Sequence, residues 1–387
     1  MKVYGFSKPN KNSNSLAIAF VFFQNVQQIY ESAGLDLKII CRIGVWKEQI
    51  IMMGRKTYGV DFGTNMIKIY KKGNGVVLAE KNVIAIEKKK RILATGDDAY
   101  EMLGKAPLDI EVSTPIQNGV IADISNMQVL LNHFLEKIAG KGKVKGSDFL
   151  VAVPTDITQV EKRAFYDLVV QSIGKARTVR VVEKPIATAL GMDVDVTSSR
   201  GVMTVDIGGD TTEIAIMSLG GIVISMIIPV GGNKIDTSIQ SAVKRKFNLF
   251  IGEKTAETIK MALASSVAPK EEEHIRVLGR DVVNGLPREA HVDSQTVYLC
   301  IKEHINGIIN AVKMILERTP PEISSDIIET GIYVTGGSAR IRKLAEVISI
   351  ETGLQVNIAE EPEDTVVLGL GKIIENRKLI SLGTIVK

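Results

Sequence analysis

The sequence predicts an α/β protein of two similar lobes that face each other across a cleft. Two observations predict it. From Lys56 onward, strand-like apolar runs alternate with stretches of helical periodicity. In addition, one strand–turn–strand unit occurs twice, as "GVDFGTNMIKIYKKGNG" from Gly59 and as "VDIGGDTTEIAIMSLGG" from Val205. With Asp61 set over Asp206, Gly63 falls over Gly208 at an offset of 145 residues, and the later glycine turns nearly coincide. A long-range internal repeat outweighs any single motif in setting a fold, and two facing α/β lobes are its simplest realisation.

The elements follow in order. "TYGVDFG" reads as a strand ending in a turn, and "MIKIYKKGNGVVLAE" as a strand, a Gly-Asn-Gly turn and another strand. "GVIADISNMQVLLNHFLEKIAG" reads as helical throughout, with Met127, Leu130, Leu131, Phe134, Leu135 and Ile138 on one face. "DFLVAVPTD" is a buried strand, followed by a helix opened near Asp156 or Thr158 and closed by Gly174. "TVRVVEKP" is a strand ending where Pro185 starts the next helix, a position that suits proline. The pattern then repeats with "VMTVDIGG" and "TEIAIMSLGGIVISMIIPVGG", followed by the helical stretches "NKIDTSIQSAVKRKF" and "TAETIKMALAS". A third glycine turn, "GIYVTGGSARI", reads as strand, Gly-Gly, helix. The expected division is an extension over 1–51, a first lobe over 54–193 completed by 364–387, and a second lobe over 194–363.

Composition narrows the function. The chain has 387 residues, 45% hydrophobic and 24% charged, as expected of a globular protein with a sizeable core. A net charge of +4 and an aromatic content of 5% give no case for nucleic acid binding. Cys41 and Cys300 are far apart and lack metal-type spacing, which points to a reducing, cytoplasmic setting without structural zinc. The longest apolar run near the start, Leu16 to Phe23, is too short to span a membrane and lacks a following cleavage site. Residues 1–51 read unlike the rest. One reading starts the native chain at Met52 or Met53. The other makes the segment an amphipathic anchor presenting Leu16, Phe20, Phe23, Val26 and Tyr30 on one face.

Glycines directly after a strand let backbone approach a ligand, and their free N–H groups form an anion nest. Threonine adds a hydroxyl donor. An aspartate beside them repels a bare phosphate, so a divalent cation belongs between. Two such loops, one per lobe, would clamp a polyphosphate–magnesium complex. A lone Asp-x-Gly after a strand is usually only a turn, and it is the duplication that lifts this pair above that. There is no G-x-x-x-x-G-K-[ST] sequence, and "GLGK" at Gly369 to Lys372 lacks the third glycine of a dinucleotide fingerprint. At the third turn, Gly336 and Gly337 would let a flat base lie against the backbone.

"VDFGT", "VVEKPIATALG", "VDIGGDTTE" and "GIYVTGGSARI" occur in an order that resembles the actin, sugar-kinase and heat-shock-chaperone ATPase superfamily. More narrowly, "PIQNGVIAD", "AVPTDITQVEKRAFYD", "SLGGIVIS", "GRDVVNGLPRE", "TGGSARIRKL" and "ETGLQVNIAEEPEDTVVLGLGK" are similar to segments of the MreB family of bacterial actin-like rod-shape-determining proteins. The resemblance covers essentially Lys56 to Asn376. It implies an actin-like, duplicated two-lobe (ribonuclease H-like) fold of four subdomains, with ATP and magnesium in the interlobe cleft. It also implies self-assembly into filaments under the cytoplasmic membrane, where they work with cell-wall elongation proteins. Carried over by residue, Asp61 and Asp206 sit near the magnesium, largely through water. Gly63, Thr64, Asn65, Gly208, Gly209, Thr211 and Thr212 belong to the phosphate loops. Gly336, Gly337 and Ser338 form the adenosine turn. Glu257 and Lys260 flank the nucleoside from one helical face.

The departures from the family fall in the cleft. Just before Pro185 the family has a glutamate that helps activate water; here it is Lys184, which cannot accept a proton while charged, and Glu183 points the other way along the strand. A cation at a helix N-terminus costs about 0.3–1 kcal/mol. In the second loop Asp210 replaces a glycine. We therefore expect Lys184 and Asp210 to face each other across the cleft or both to reach the γ-phosphate, with Lys184, Asp210 and Thr211 as the catalytic candidates. Met66 and Ser338 are smaller departures. In "IAGKGKVKGS", Lys141, Lys143 and Lys145 surround a single Val144 where the family often exposes apolar residues to lipid. Three functions compete: a nucleotide-gated filament with slow hydrolysis, a small-molecule kinase of the same superfamily, and a nucleotide-binding regulator that does not polymerise.

Overall fold

The computed structural model describes residues 56–385 apart from 89, 90, 142, 174 and 175. The expectations for residues 1–51, for Cys41, for Met52 or Met53 as the start and for Gly174 as a helix stop lie outside the described residues.

The first lobe opens with an antiparallel meander of β1 (Thr57–Phe62), β2 (Met66–Lys71) and β3 (Gly75–Lys81). An outlying three-stranded sheet follows, made of β4 (Ile84–Glu87), β5 (Arg91–Thr95) and β6 (Ile110–Ser113), with helix α1 (Asp97–Met102) between its strands. The hairpin β7 (Ile116–Gln117) and β8 (Val120–Ile121) leads into α2 (Ile124–Ala139). The expected helix is therefore shorter at its start. Asn118 and Gly119 both have positive φ, 50° and 80°, which makes "QNGV" a tight hairpin turn. Asp123 then caps α2 by accepting from the Asn126 amide at 2.9 Å. Met127, Leu130, Leu131, Phe134 and Leu135 are buried on its inner face, as their spacing predicts.

β9 (Asp148–Val153), α3 (Gln159–Ile173), β10 (Thr178–Glu183) and α4 (Lys184–Gly191) complete the lobe's large sheet, in the order β10-β9-β1-β2-β3. Thr158 opens α3 through a capping box. Its hydroxyl accepts from the Glu161 amide, and the Glu161 carboxylate accepts from the Thr158 amide and hydroxyl.

The second lobe repeats the plan with β11 (Val202–Ile207), β12 (Thr212–Ser218) and β13 (Gly221–Ile228), then α5 (Gly232–Phe247). β14 (Leu249–Phe250), β15 (His274–Asp281) and β16 (Pro287–Asp293) form its own outlying sheet, with α6 (Glu253–Leu263) between β14 and β15. α7 (Ser294–Glu317), α8 (Pro321–Thr330), β17 (Ile332–Thr335), α9 (Leu344–Thr352), β18 (Val356–Ile358) and α10 (Thr365–Glu375) follow. The large sheet runs β13-β12-β11-β17-β18.

The duplication holds at the level of register. β1 lies between antiparallel β2 and parallel β9, and β11 lies between antiparallel β12 and parallel β17. Asp61 sits opposite Lys68, and Asp206 sits opposite Glu213. Each large sheet has its own apolar core, and a third core joins them. That third core combines Leu150, Ala152 and Val182 of the first sheet with Val202, Ala215 and Met217 of the second, around α4 and α10. The two helices meet at glycines. A Cβ at Gly369 would lie 1.7 Å from the Ala187 carbonyl oxygen, and one at Gly191 would lie 2.0 Å from that of Thr365. Any side chain there would push the helices apart and loosen the joint between the lobes.

Candidate functional site

Both glycine turns end their first strands at the same cleft, where a cluster of ionisable groups fills the space between them. Lys184 is the first residue of α4, so its side chain points back at the end of β1. Its ammonium lies 3.1 Å from Asp61 Oδ1 and 3.4 Å from the Phe62 carbonyl oxygen. The Lys184 side chain is 13% exposed and that of Asp61 is 10%, so the pair is shielded from solvent. Burial alone would push the Lys184 pKa down. The nearby Asp61, Asp206 and Glu213 carboxylates outweigh it and raise it.

Asp206 has the opposite problem. Burial lifts its pKa to about 6, and repulsion from Asp61 adds to this while Lys184 and Lys68 oppose it. Glu213 lies directly opposite Asp206 on β12 and is 5% exposed. Burial lifts it to about 7, although Thr155 donates to its Oε1 from both its amide and its hydroxyl at 2.6 Å and Lys184 attracts it. Thr155 follows β9 in the first lobe, so this carboxylate also ties the lobes together. Lys68 is 5% exposed and reaches Asp364 at 2.5 Å and the Glu363 carbonyl.

The third glycine turn is built onto the second loop. Gly336 has φ of 85°, and a Cβ there would fall 2.4 Å from both Asp206 Oδ1 and the Ile207 carbonyl oxygen. Only glycine fits. Gly337 opens the 3-10 turn Gly337–Arg340, and a Cβ there would meet nothing within 4 Å. Ser338 braces the loop, donating to the Gly208 carbonyl at 3.2 Å. The Gly232 amide at the start of α5 donates to the same oxygen at 3.0 Å, and Lys260 on α6 reaches the Gly232 carbonyl at 3.1 Å and Asp236 at 2.6 Å.

The expected Lys184–Asp210 pair is not formed. Asp210 accepts from the Asn118 amide and from the Asn233 side chain, both at 2.8 Å, while Lys184 is held by Asp61. The reason is direction. The strand-to-helix turn at Lys184 aims the side chain at β1, whereas Asp210 lies on the outer bend of its loop, within reach of the Asn118 turn. Glu183 does point away from Lys184, toward Lys162 at 2.9 Å.

The other predicted residues divide clearly. The Thr64 and Thr211 hydroxyls have no protein partner among the described residues. The Thr212 hydroxyl is fully buried and donates to the Val230 carbonyl at 2.7 Å, inside the second lobe. Gly209 gives room for Asn65 of the other lobe, whose side chain would lie 2.8 Å from a Cβ there. Asn65 and Asn233 exchange a reciprocal pair of amide hydrogen bonds at 3.0 Å across the cleft. Glu257 accepts from the Tyr100 hydroxyl of α1 at 2.6 Å. Burial works to raise the Glu257 pKa, but Tyr100, Lys81 and Lys260 hold it below the usual carboxylate range. Asn65, Lys81, Tyr100, Asn233, Asp236 and Glu257 line an interlobe cavity of about 240 Å³.

Sequence reasoning passed over Glu213, Lys68, Asn233, Thr155 and Tyr100. The signal for the first two was present: each stands seven residues after the aspartate of its repeat. At the basic loop, Val144 is 6% exposed and joins the first lobe's core, so it is not offered to lipid, while Lys141, Lys143 and Lys145 are exposed.

Three comparisons bear on this site. The family described as MreB/Mbl protein matches residues 55–382. The chain is 39% identical over 325 residues to the cell shape-determining protein Mbl of Bacillus subtilis, covering 84% of this chain and 97% of that one. It is 40% identical over 322 residues to the cell shape-determining protein MreB of Escherichia coli, covering 82% and 92%. Among solved structures, MreB5 of Spiroplasma citri bound to AMPPNP matches with a TM-score of 0.80 at 34% identity, over 84% of this chain and 97% of that chain. The MamK double helical filament matches with a TM-score of 0.70 at 23% identity, a likeness of fold alone, over 84% and 99%.

Proposed function

The chain belongs to the MreB/Mbl family, and on that premise we propose that it is an ATP-binding, actin-like cytoskeletal protein. In this reading it polymerises into filaments at the inner face of the cytoplasmic membrane, organises cell-wall synthesis and sets cell shape. The observation that carries the reading is the convergence of two equivalent glycine turns, one per lobe, on one cleft. Gly336 packs against Asp206, and α6 flanks the cleft with Glu257 and Lys260. The shape-determining relatives and the AMPPNP-bound neighbour support it.

Within that cleft the amides of Gly63 and Gly209, with the hydroxyls of Thr64 and Thr211, would cradle phosphate oxygens, while the Gly208 amide holds the loop by donating to the Thr211 carbonyl at 2.9 Å. Gly337 leaves open space where a base can lie. Asp61 and Asp206 fit a magnesium ion held largely through water. Asp206 is lifted to about 6 by burial and by Asp61, a strain that a nearby cation relieves. Among the described residues no three acid, histidine or cysteine side chains are arranged to grip a metal directly. Magnesium supplies neutralising charge at the phosphates.

Lys184 already supplies one positive charge beside Asp61. It cannot take a proton from water, and both oxygens of Asp210 are engaged by Asn118 and Asn233. Hydrolysis is therefore slow, and the nucleotide serves chiefly to hold the lobes together. Among the described residues no helix is long and apolar enough to cross a membrane. With Val144 buried, this loop offers a membrane only the charges of Lys141, Lys143 and Lys145, each worth about 1 kcal/mol at an anionic surface. The direct test is calorimetric titration of the full chain with ATP, in magnesium and in EDTA. Binding is expected in both, with a smaller magnesium dependence than in Lys184→Glu. No ATP binding at any magnesium concentration would overturn the reading.

A further inference from the structure

A second concave site lies along α5 toward its C-terminal end, on a different face from the residues that line the nucleotide cleft. α5 and α7 run side by side and enclose a groove of about 600 Å³, within the range that holds small-molecule ligands. From α5 and its end come Ser238, Ser241, Lys244, Arg245 and Asn248; from α7 come Cys300, Glu303 and His304. The spacings of three and four residues put each set on one helical face, and Val282 of the turn between β15 and β16 closes the groove at the end of α5. Its polar groups are mostly donors. Lys244 and Arg245 carry fixed positive charge against a single carboxylate, Glu303.

The cations are also unpaired. Lys246, on the same last turn of α5, is taken up by Asp293 at 2.7 Å, and Arg288 by Asp281 at 2.8 Å. Lys244, Arg245 and Glu303 have no ion-pair partner among the described residues. Basic side chains at a helix C-terminus complement its carbonyl ends. That accounts for positive charge on this turn, but not for a concavity that adds two serines and a histidine to it. His304 Nε2 lies 2.6 Å from Ser238 Oγ, which fixes the ring in the wall of the groove.

We propose that the groove between α5 and α7 binds a small, soluble, phosphate-bearing anion. Lys244 and Arg245 supply the charge, and Ser238, Ser241 and His304 supply hydrogen bonds. The charged groups that act on His304 are Lys234 on α5 and Glu303 on α7, and Lys244 and Arg245 of α5 line the same groove. Burial first, and then Lys234, holds the His304 pKa below its ordinary value, with Glu303 opposing. A bound anion reverses that balance and draws a proton onto the ring. α5 also begins in the nucleotide cleft, where the Gly232 and Asn233 amides donate to the Gly208 and Gly209 carbonyls at 3.0 and 2.7 Å. The groove therefore grips the other end of a helix that is already anchored at the cleft.

The test is NMR titration of the histidine ring signals of the full chain against pH, with and without inorganic pyrophosphate at constant ionic strength. Among the four histidines, the His304 signal is the one missing from a His304→Gln spectrum. The expected result is a saturable upward move of the His304 midpoint by about 1 unit, with His133, His274 and His291 unmoved. In Lys244→Gln/Arg245→Gln the apparent affinity falls by about tenfold or more, while ATP binding at the cleft is retained. A His304 midpoint that pyrophosphate leaves in place, or moves no more than chloride does, would overturn the proposal. So would a response to phosphatidylglycerol vesicles without one to pyrophosphate, because the ligand would then be a membrane headgroup. Loss of ATP binding in wild type together with an intact pyrophosphate response would count against the cleft reading and leave the groove standing.

Discussion

The two repeated hairpins share a register and differ in charge. In the first lobe Asp61 faces Lys68 across β1 and β2; in the second, Asp206 faces Glu213 across β11 and β12. Opposite charges at a cross-strand pair stabilise it, and like charges work against it. The first hairpin holds one charge of each sign, and each is paired outside it, Lys68 with Asp364 and Asp61 with Lys184. The second is not balanced: burial lifts Asp206 to about 6 and Glu213 to about 7, with repulsion from Asp61 adding to the first and from Asp206 adding to the second. Lys184 is the cation that both hairpins share. A duplicated scaffold can thus keep its geometry while one copy carries the charge problem and the other, with α4, supplies the answer.

Removing that shared cation should break the comparison most severely. Lys184→Met leaves Asp61, Asp206 and Glu213 without their ammonium, a loss of about 3–5 kcal/mol in urea unfolding without magnesium. Magnesium should restore part of it. A variant as stable as wild type in EDTA would mean that the cluster is already compensated by water.

The next largest effect concerns what sits on the second hairpin and has no counterpart on the first. Gly336→Ala drives a methyl into Asp206 and Ile207 at a backbone angle that disfavours it, costing about 2–4 kcal/mol. Gly337→Ala, which meets nothing, should stay within about 0.5 kcal/mol. Equal costs would show that the turn does not rest on Asp206.

Glu213→Gln sharpens the charge difference. A carboxyl whose folded pKa is raised favours the protonated fold, so its contribution is full below its unfolded value of about 4.3 and disappears as pH rises toward 7. Wild-type stability should fall over that window by on the order of 3–4 kcal/mol, and Glu213→Gln should flatten the curve and be the more stable protein at pH 8. An unchanged pH profile would place the titration elsewhere in the cluster. The smallest effect is the amide bridge between the lobes. A double-mutant cycle of Asn65→Ala and Asn233→Ala should give a coupling of about 1 kcal/mol, and zero coupling would make the bridge incidental.

Much of this was legible in the sequence. The twin aspartate–glycine turns gave the duplication, and the spacing of Met127 to Leu135 gave the buried face of α2. The start of α2 was missed although the Asn118-Gly119 turn signal was visible, because apolar residues on both sides fitted a helical period as well. Lys184 stood out as a residue, but its partner did not. Whether it meets Asp61 or Asp210 depends on the direction of the turn from β10 into α4, which no spacing records. The burial of Val144 likewise depends on how a short loop folds back. Glu213 became visible only when the register of β11 and β12 set it opposite Asp206.

The central claim is that both turns close on one nucleotide and that Lys184 slows its cleavage without preventing assembly. High-speed sedimentation of the full chain with and without ATP, with phosphate release followed in the same samples, tests it most directly. The account predicts a pellet that depends on ATP and forms well ahead of phosphate release, with faster release from Lys184→Glu in magnesium. An equal pellet with and without ATP, or release keeping pace with assembly in wild type, would contradict it.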